Sequence, residues 1–226
     1  MTKVWVTRDE PPDGRLCRLL EDRGIGAIHA PLVRIDPISD GREDVVGLGS
    51  EDWLVLTSPR AVDLITDEVA RIRPRIAVAG RVSEAAARAR GFRVDFVSPT
   101  ESGAGIWDFL DREAGEGRVC FARSRRADLP ADPPSGLRVV DLYDVREVVV
   151  PNSRVDSAHA ATFTSRSAVE SCVKGFGGVP VPAFSIGPST TKSLNGVGAR
   201  VLGEARSRSL ESLADLVHRW SRDRDA

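Results

Sequence analysis

Shifted by 107 residues along its own length, the sequence meets itself again. The stretch "LVLTSPRAV" (54–62) falls on "ATFTSRSAV" (161–169), so that Thr57 lands on Thr164 and Ser58 on Ser165. Gly80 and Gly187, Gly91 and Gly198, Val94 and Val201, and Ser102 and Ser209 keep the same spacing, 187 − 80 = 107 for the first pair. One shift held from Thr57 to Ser102 marks a duplicated unit. A weaker echo joins "VWVTR" (4–8) to "VCFAR" (119–123), and "HAPLVRI" (29–35) to "DLYDVRE" (141–147). The chain therefore has the order A–B–A′–B′, and each domain needs one A block and one B block.

Short β-branched runs alternate with helical patterns throughout, which predicts an α/β fold with parallel sheets. Strands are expected near 3–7, 27–38, 53–57, 76–79, 94–97, 118–122, 138–150, 160–164, 183–186 and 200–203. Ten strands are too many for one doubly wound sheet of this size and divide into two sets of five. Consecutive pairing of blocks gives two halves in series. Swapped pairing gives A with B′ around an inserted A′ with B, and the repeat alone fits either. The second strand of each A block is long against the usual ~5–6 residues. Such strands can leave one domain and enter the other as a paired two-stranded bridge. Swapping is the favoured arrangement: a discontinuous domain of 1–36 plus 151–226 around an inserted domain of 37–150, with linker strands near 30–38 and 140–150.

A net charge of −1 over 226 residues gives no broad basic face for nucleic acid. No apolar run reaches membrane-spanning length, and "MTKVWVTRDE" enters a strand pattern with no leader segment. Cys17, Cys120 and Cys172 each sit in an apolar stretch and read as small core residues in a reducing compartment. His29, His159 and His218 have no ligand-like spacing to one another or to the cysteines, so no metal site is expected. A cytoplasmic, monomeric protein without metal or membrane partner is the expectation.

Four strand-to-helix turns carry similar chemistry. Ser58-Pro59 after "WLVLT" combines an N-cap serine with proline at the first helical position, and Ser165-Arg166 is its repeat partner. Gly80-Arg81 follows "IAVA", and Gly187-Pro188 follows "AFSI". A glycine near the expected helix end (Gly91, and Gly196 or Gly198) closes each of the latter two units. Ligands of open parallel sheets bind outside the carboxyl ends of the strands, where free helix N–H groups favour anions. Plain capping explains Ser58 and Ser165 equally well. A nucleotide loop is excluded: in "FSIGPSTTKS" Thr191, not glycine, precedes Lys192, and no G-x-G-x-x-G follows the first strand.

Taken together, "VWVTR", "LVLTSPRAV", "TFTSRSAV", "AVAGRVSEAA", "SIGPSTTKSLNGVGARV", "DLYDVREV" and "SRSLESLADLV" resemble the uroporphyrinogen-III synthase family over nearly the whole chain and in the family's order. The resemblance implies two flavodoxin-like α/β domains with parallel five-stranded sheets, joined by a two-stranded linker, the first and last parts of the chain forming one domain. It implies a cofactor-free enzyme of tetrapyrrole (haem, sirohaem or cobalamin) biosynthesis. The substrate is hydroxymethylbilane, a linear tetrapyrrole with eight carboxylates, and it is closed with loss of water and inversion of the terminal ring. Unassisted closure gives the uninverted type I isomer, so positioning is the main catalytic demand.

Tyr143, the chain's single tyrosine, matches the family tyrosine of the second linking strand and is the expected donor to the departing hydroxyl. Thr190 matches the family's second threonine after Gly-Pro and is expected to face the ligand; Ser189 stands where the family has the first. Ser165 and Ser167 match a family "SPS"-like turn with Arg166 in place of its proline. Arg8, ending the first strand, is a candidate carboxylate partner, and Thr57, Ser58, Gly80, Ser83 and Gly187 complete the expected substrate-binding set. Lys192 is given a minor role, and Asp9, Glu10 and Glu84 are expected to be solvated. Leu210, Leu213, Val217 and Trp220 form a core-facing helical stripe. A non-catalytic tetrapyrrole- or polycarboxylate-binding relative of the same family would show much the same sequence.

Overall fold

The computed structural model describes residues 1–38, 45, 47–113, 115 and 117–225. Along the chain run β1 (Lys3–Val6), α1 (Arg15–Glu21), β2 (Gly26–His29), β3 (Val33–Pro37), β4 (Trp53–Leu56), α2 (Pro59–Leu64), α3 (Glu68–Ile72), β5 (Arg75–Val78) and α4 (Arg81–Ala89). They are followed by β6 (Phe96–Val97), α5 (Gly103–Glu113), β7 (Val119–Ser124), β8 (Arg138–Glu147) and a short 3-10 turn (Asn152–Arg154). Then come β9 (Ala160–Phe163), α6 (Arg166–Phe176), β10 (Ala183–Ser185), α7 (Pro188–Gly196), β11 (Val201–Glu204) and α8 (Leu210–Asp225). The chain divides into two compact units, one of residues 1–35 with 146–226 and one of residues 36–145.

The first unit is built on a five-stranded sheet, ordered β11-β10-β9-β1-β2, in which every pairing is parallel. Its central strand β9, "AATF", is buried at every position, as expected of a parallel strand covered on both faces. The N-terminal and C-terminal segments of the chain are joined here by reciprocal hydroxyl bonds. Thr7 Oγ1 donates to the Thr162 carbonyl at 2.8 Å, and Thr162 Oγ1 donates to the Trp5 carbonyl at 3.2 Å, both buried. The core gathers Val4, Val6, Leu16, Leu20, Phe184 and Val217. Leu213 and Val217 are fully buried against it, with Leu210 and Trp220 partly so, which is the stripe expected of α8.

The second unit holds a six-stranded mixed sheet, ordered β3-β8-β7-β4-β5-β6. Here "WLVL" of β4 is the strand buried throughout, over a core of Trp53, Val55, Ile106, Leu110 and Phe121. Two sequence expectations change. The sheets hold five and six strands, not five each, and the long strand expected over 27–38 is two strands that belong to different sheets. Pro31 lies at the break, where the ring removes a backbone donor and biases the residue before it. The Ala30 carbonyl there accepts from Trp5 Nε1 at 2.6 Å, out of any ladder.

The 107-residue shift is a structural repeat. Added to the starts of β4, α2, α4 and α5 (53, 59, 81 and 103) it gives 160, 166, 188 and 210, the starts of β9, α6, α7 and α8. The helix ends agree as well. Gly91 and Gly198 both take left-handed φ, 76° and 70°, so Gly198, not Gly196, is the helix-closing glycine.

Candidate active site

In each unit the hydroxyl-bearing turns lie at the carboxyl edge of the parallel strands, where ligands of open α/β sheets bind. In the second unit that edge carries Thr57 and Ser58 after β4, Gly80 after β5, and Tyr143 within β8. The pairing of β7 with β8 slips between Arg123 and Ser124: Arg123 faces Asp141, but Ser124 faces Tyr143, leaving Leu142 as the extra residue. Such bulges re-aim a side chain. Tyr143 is buried, with 7% of its surface exposed. Its hydroxyl lies 3.0 Å from Ser58 Oγ, and Ser58 Oγ also accepts the Ala61 N–H of α2 at 3.1 Å. Asp141, two residues earlier on β8, is salt-bridged to residues of β7 and the loop after it: Arg123 Nε stands 3.1 Å from Asp141 Oδ1, and Arg125 Nε 3.3 Å from Asp141 Oδ2.

In the first unit the edge carries Arg8, Ser165, Ser167, Gly187, Ser189 and Thr190. Ser165 reproduces the Ser58 cap without a following proline, with φ and ψ of −158° and 155° against −143° and 149°. Its Oγ accepts from Ala168 N–H at 3.2 Å and lies 3.1 Å from Ser167 Oγ. Arg166 in place of the family's proline therefore leaves the turn intact. Ser165→Ala is expected to lower stability by about 1 kcal/mol, the worth of an N-cap, and Ser165→Asp to restore it. Urea midpoints measure this, and an alanine variant as stable as the native chain would remove the cap's contribution.

Thr190 and Ser83 occupy matching positions (83 + 107 = 190), each in the first turn of its helix. Thr190 is 2% exposed and Ser83 4%. Each shares the buried stripe of its helix with the residue four positions on, Leu194 and Ala87. Ser189 and Lys192 are exposed in the same turns of α7. Thr191 is held internally, its Oγ1 2.5 Å from buried Ser185 Oγ and donating to the Glu204 carboxylate.

Arg8 already has a carboxylate partner. Its Nε is 3.2 Å from Glu10 Oε2, and the Glu10 carboxylate accepts the N–H groups of Leu16 and Cys17 at 3.2 and 3.0 Å, capping α1. Asp9 Oδ2 accepts from Ile35 N–H at 2.9 Å. Asp9 and Glu10 are thus structural rather than solvated, while Glu84 makes an i,i+4 pair with Arg88.

The two glycine turns differ in what covers them. A Cβ on Gly187 would meet Arg208 Cγ at 3.1 Å, whereas one on Gly80 would meet Glu101 Cβ at 3.4 Å. Glu101 and Arg208 are themselves 107 residues apart, so the repeat puts a cation over one turn and a carboxylate over the other. All three cysteines are buried, and burial pushes the Cys17 and Cys172 thiols up to about 12, Glu10 adding to the effect at Cys17. Among the described residues no group of three or more His, Cys, Asp or Glu is arranged to hold a metal ion, and no helix is long and apolar enough to cross a membrane.

The sequence model of uroporphyrinogen-III synthase HemD matches residues 14–215. This chain belongs to the uroporphyrinogen-III synthase family. It is similar to the uroporphyrinogen-III synthase of Synechococcus elongatus, 23% identical over 251 aligned positions that cover 97% of this chain and 95% of that one. Among solved structures, a mutant uroporphyrinogen III synthase of Thermus thermophilus matches with a TM-score of 0.67 at 12% identity, covering 100% and 99% of the two chains. The uroporphyrinogen-III synthetase of Helicobacter pylori matches with a TM-score of 0.59 at 16% identity, covering 97% and 100%. These likenesses extend the α/β fold with parallel sheets over the whole chain. Membership in the uroporphyrinogen-III synthase family makes the chain an enzyme of tetrapyrrole biosynthesis, acting on a small-molecule substrate.

Proposed function

We propose that this chain closes hydroxymethylbilane to uroporphyrinogen III with Tyr143 as donor to the departing hydroxyl, on two flavodoxin-like domains. The carrying observation is the placement of Tyr143: a single buried phenol, re-aimed by a bulge at the carboxyl edge of its sheet, with its oxygen 3.0 Å from Ser58 Oγ. The reaction begins at the terminal hydroxymethyl group. Its C–O bond breaks with the electron pair going to oxygen, the phenol supplies the proton, water leaves, and an azafulvene electrophile remains. The terminal ring then attacks through its substituted α-carbon to give a spiro intermediate. The older bond from that carbon to its neighbouring methylene breaks, and the methylene re-bonds at the ring's free α-carbon, which inverts the ring. The proton lost there as the ring regains aromaticity restores the phenol. No redox equivalent is consumed.

The flavodoxin-like reading is supported by strand order. Taking β1, β2, β9, β10 and β11 as strands one to five of the first unit, the sheet reads 2-1-3-4-5. Taking β7, β8, β4, β5 and β6 in that sequence, the second sheet gives the same order, with β3 added beyond β8. The substrate's carboxylates suit hydroxyls and free helix N–H groups more than a few fixed charges. Ser165, Ser167, Ser189 and the Gly187 turn, with Arg208 beside it, are the groups proposed for them in the first unit.

Freshly generated hydroxymethylbilane is the test: products are oxidised and the uroporphyrin isomers separated. Type III is the expected product. Type I alone would show that closure proceeds unassisted and that the chain only binds its ligand.

A further inference from the structure

We infer that Ser58 is a positioning residue for Tyr143, delivering its own hydroxyl hydrogen to the phenolic oxygen so that the phenol's hydrogen is left for the substrate. The assignment rests on Tyr143 as the donor to the departing hydroxyl. Two distances define it. Ser58 Oγ accepts the Ala61 N–H at 3.1 Å and lies 3.0 Å from the Tyr143 hydroxyl. The backbone bond fixes the oxygen in place, because Ser58 has the extended φ and ψ of an N-cap, −143° and 149°. With one lone pair engaged by the backbone, the serine still has one hydrogen to give, and the phenolic oxygen is within reach of it. If the phenol donated to Ser58 instead, its hydrogen would be held inside the protein and withheld from the leaving oxygen.

The serine also supports the phenol as charge develops. When the phenol's hydrogen moves to the departing hydroxyl, negative charge appears on the phenolic oxygen, and a hydrogen bond already directed there strengthens without reorganisation. At the matching position of the first unit, Ser165 caps α6 in the same way but lies 3.1 Å from Ser167 Oγ rather than beside a phenol. The cap is common to both copies; at Ser58 it also meets a phenol, at Ser165 another serine.

Substitutions separate the cap from the donor. Ser58→Asp keeps an acceptor for the Ala61 N–H but has no hydrogen to give; Ser58→Thr keeps both; Ser58→Ala keeps neither. The expected result is a kcat lower by about tenfold in Ser58→Ala and Ser58→Asp, the scale of one hydrogen bond to a reacting group, with KM changed less than about twofold. Ser58→Thr is expected within about threefold of native, and Ser58→Asp to melt with the native chain. In a Tyr143→Phe background, Ser58→Ala is expected to cost no further activity, since its partner oxygen is gone.

Native turnover in both Ser58→Ala and Ser58→Asp, beside a slow Tyr143→Phe, would overturn the role of Ser58 alone. So would an undiminished tenfold loss from Ser58→Ala in the Tyr143→Phe background. Native turnover in Tyr143→Phe would instead overturn the reading of Tyr143 on which the assignment stands.

Discussion

Tyr143→Phe is expected to turn over hydroxymethylbilane ~10²–10³-fold more slowly than the native enzyme, the range lost with a positioned acid. The phenyl ring keeps the volume of a buried side chain, so the cavity cost that accompanies truncation to alanine does not arise. What disappears is one hydroxyl and its 3.0 Å bond to Ser58, worth about 1 kcal/mol of stability. Melting curves close to native together with a large kcat loss are therefore the signature. Product identity sharpens the measurement: because unassisted closure yields the type I isomer, a slowed enzyme loses substrate to it, and the type I fraction rises with the loss of rate. A variant that keeps native rate and a pure type III product would remove Tyr143 from the chemistry.

The fold was legible where local and tertiary preferences agree. "WLVL" and "AATF" read as strands because a strand buried on both faces needs a run free of charged residues, and both are buried at all four positions. Ser58-Pro59 and Gly187-Pro188 marked helix starts at 59 and 188 because proline suits the first helical position. The repeat carried the matching starts with it. Legibility stopped short at "AIHAPLVRI", where the passage from one sheet to the other was expected, but within one unbroken strand. Both strands demand similar residues, and only Pro31 records the break.

The candidate site was legible by chemistry rather than by direction. The turns with Ser58, Ser165, Gly80 and Gly187 were identifiable from capping residues, and Tyr143 from its place in "DLYDVREV". Which hydroxyl faces inward depends on helix rotation. Thr190 with Leu194, and Ser83 with Ala87, follow a four-residue spacing that points both pairs at the core. Partners far apart in the chain left no local trace: Ser58 and Tyr143 are 85 positions apart, and Asp52 and Arg118 are 66. Glu10 caps α1 from across the "PPDG" loop, outside any capping-box spacing.

Asp52→Asn is expected to lower stability at pH 7 by about 1–2 kcal/mol, through a site unrelated to catalysis. Asp52 immediately precedes β4, and its carboxylate joins three donors. Oδ2 accepts from Gly49 N–H and from Arg118 Nη2, both at 2.7 Å, and Oδ1 accepts from Arg118 N–H at 2.9 Å. The bond from the Arg118 guanidinium is the main reason its pKa is lowered to about 2, and the backbone donors add to it against the cost of burial. The Asp52 side chain is 10% exposed but that of Arg118 is 61% exposed, so solvent screens the charge term and the lower part of the range is favoured. Asparagine keeps the volume and one acceptor but sets an NH2 donor against the remaining donors, so the charge and a hydrogen bond are lost together, and only the charge part depends on pH. A lowered carboxyl pKa contributes stability that is complete above the ordinary value near 3.8 and is lost as pH falls toward 2. The gap between native and variant urea midpoints should therefore stay constant from pH 7 to about 5, then narrow between about pH 4 and 2, where the carboxyl of the unfolded chain gains its proton before that of the folded protein does. A gap that persists unchanged at pH 3 and below would mean that the amide disrupts packing or hydrogen bonding and that the Asp52 charge contributes nothing.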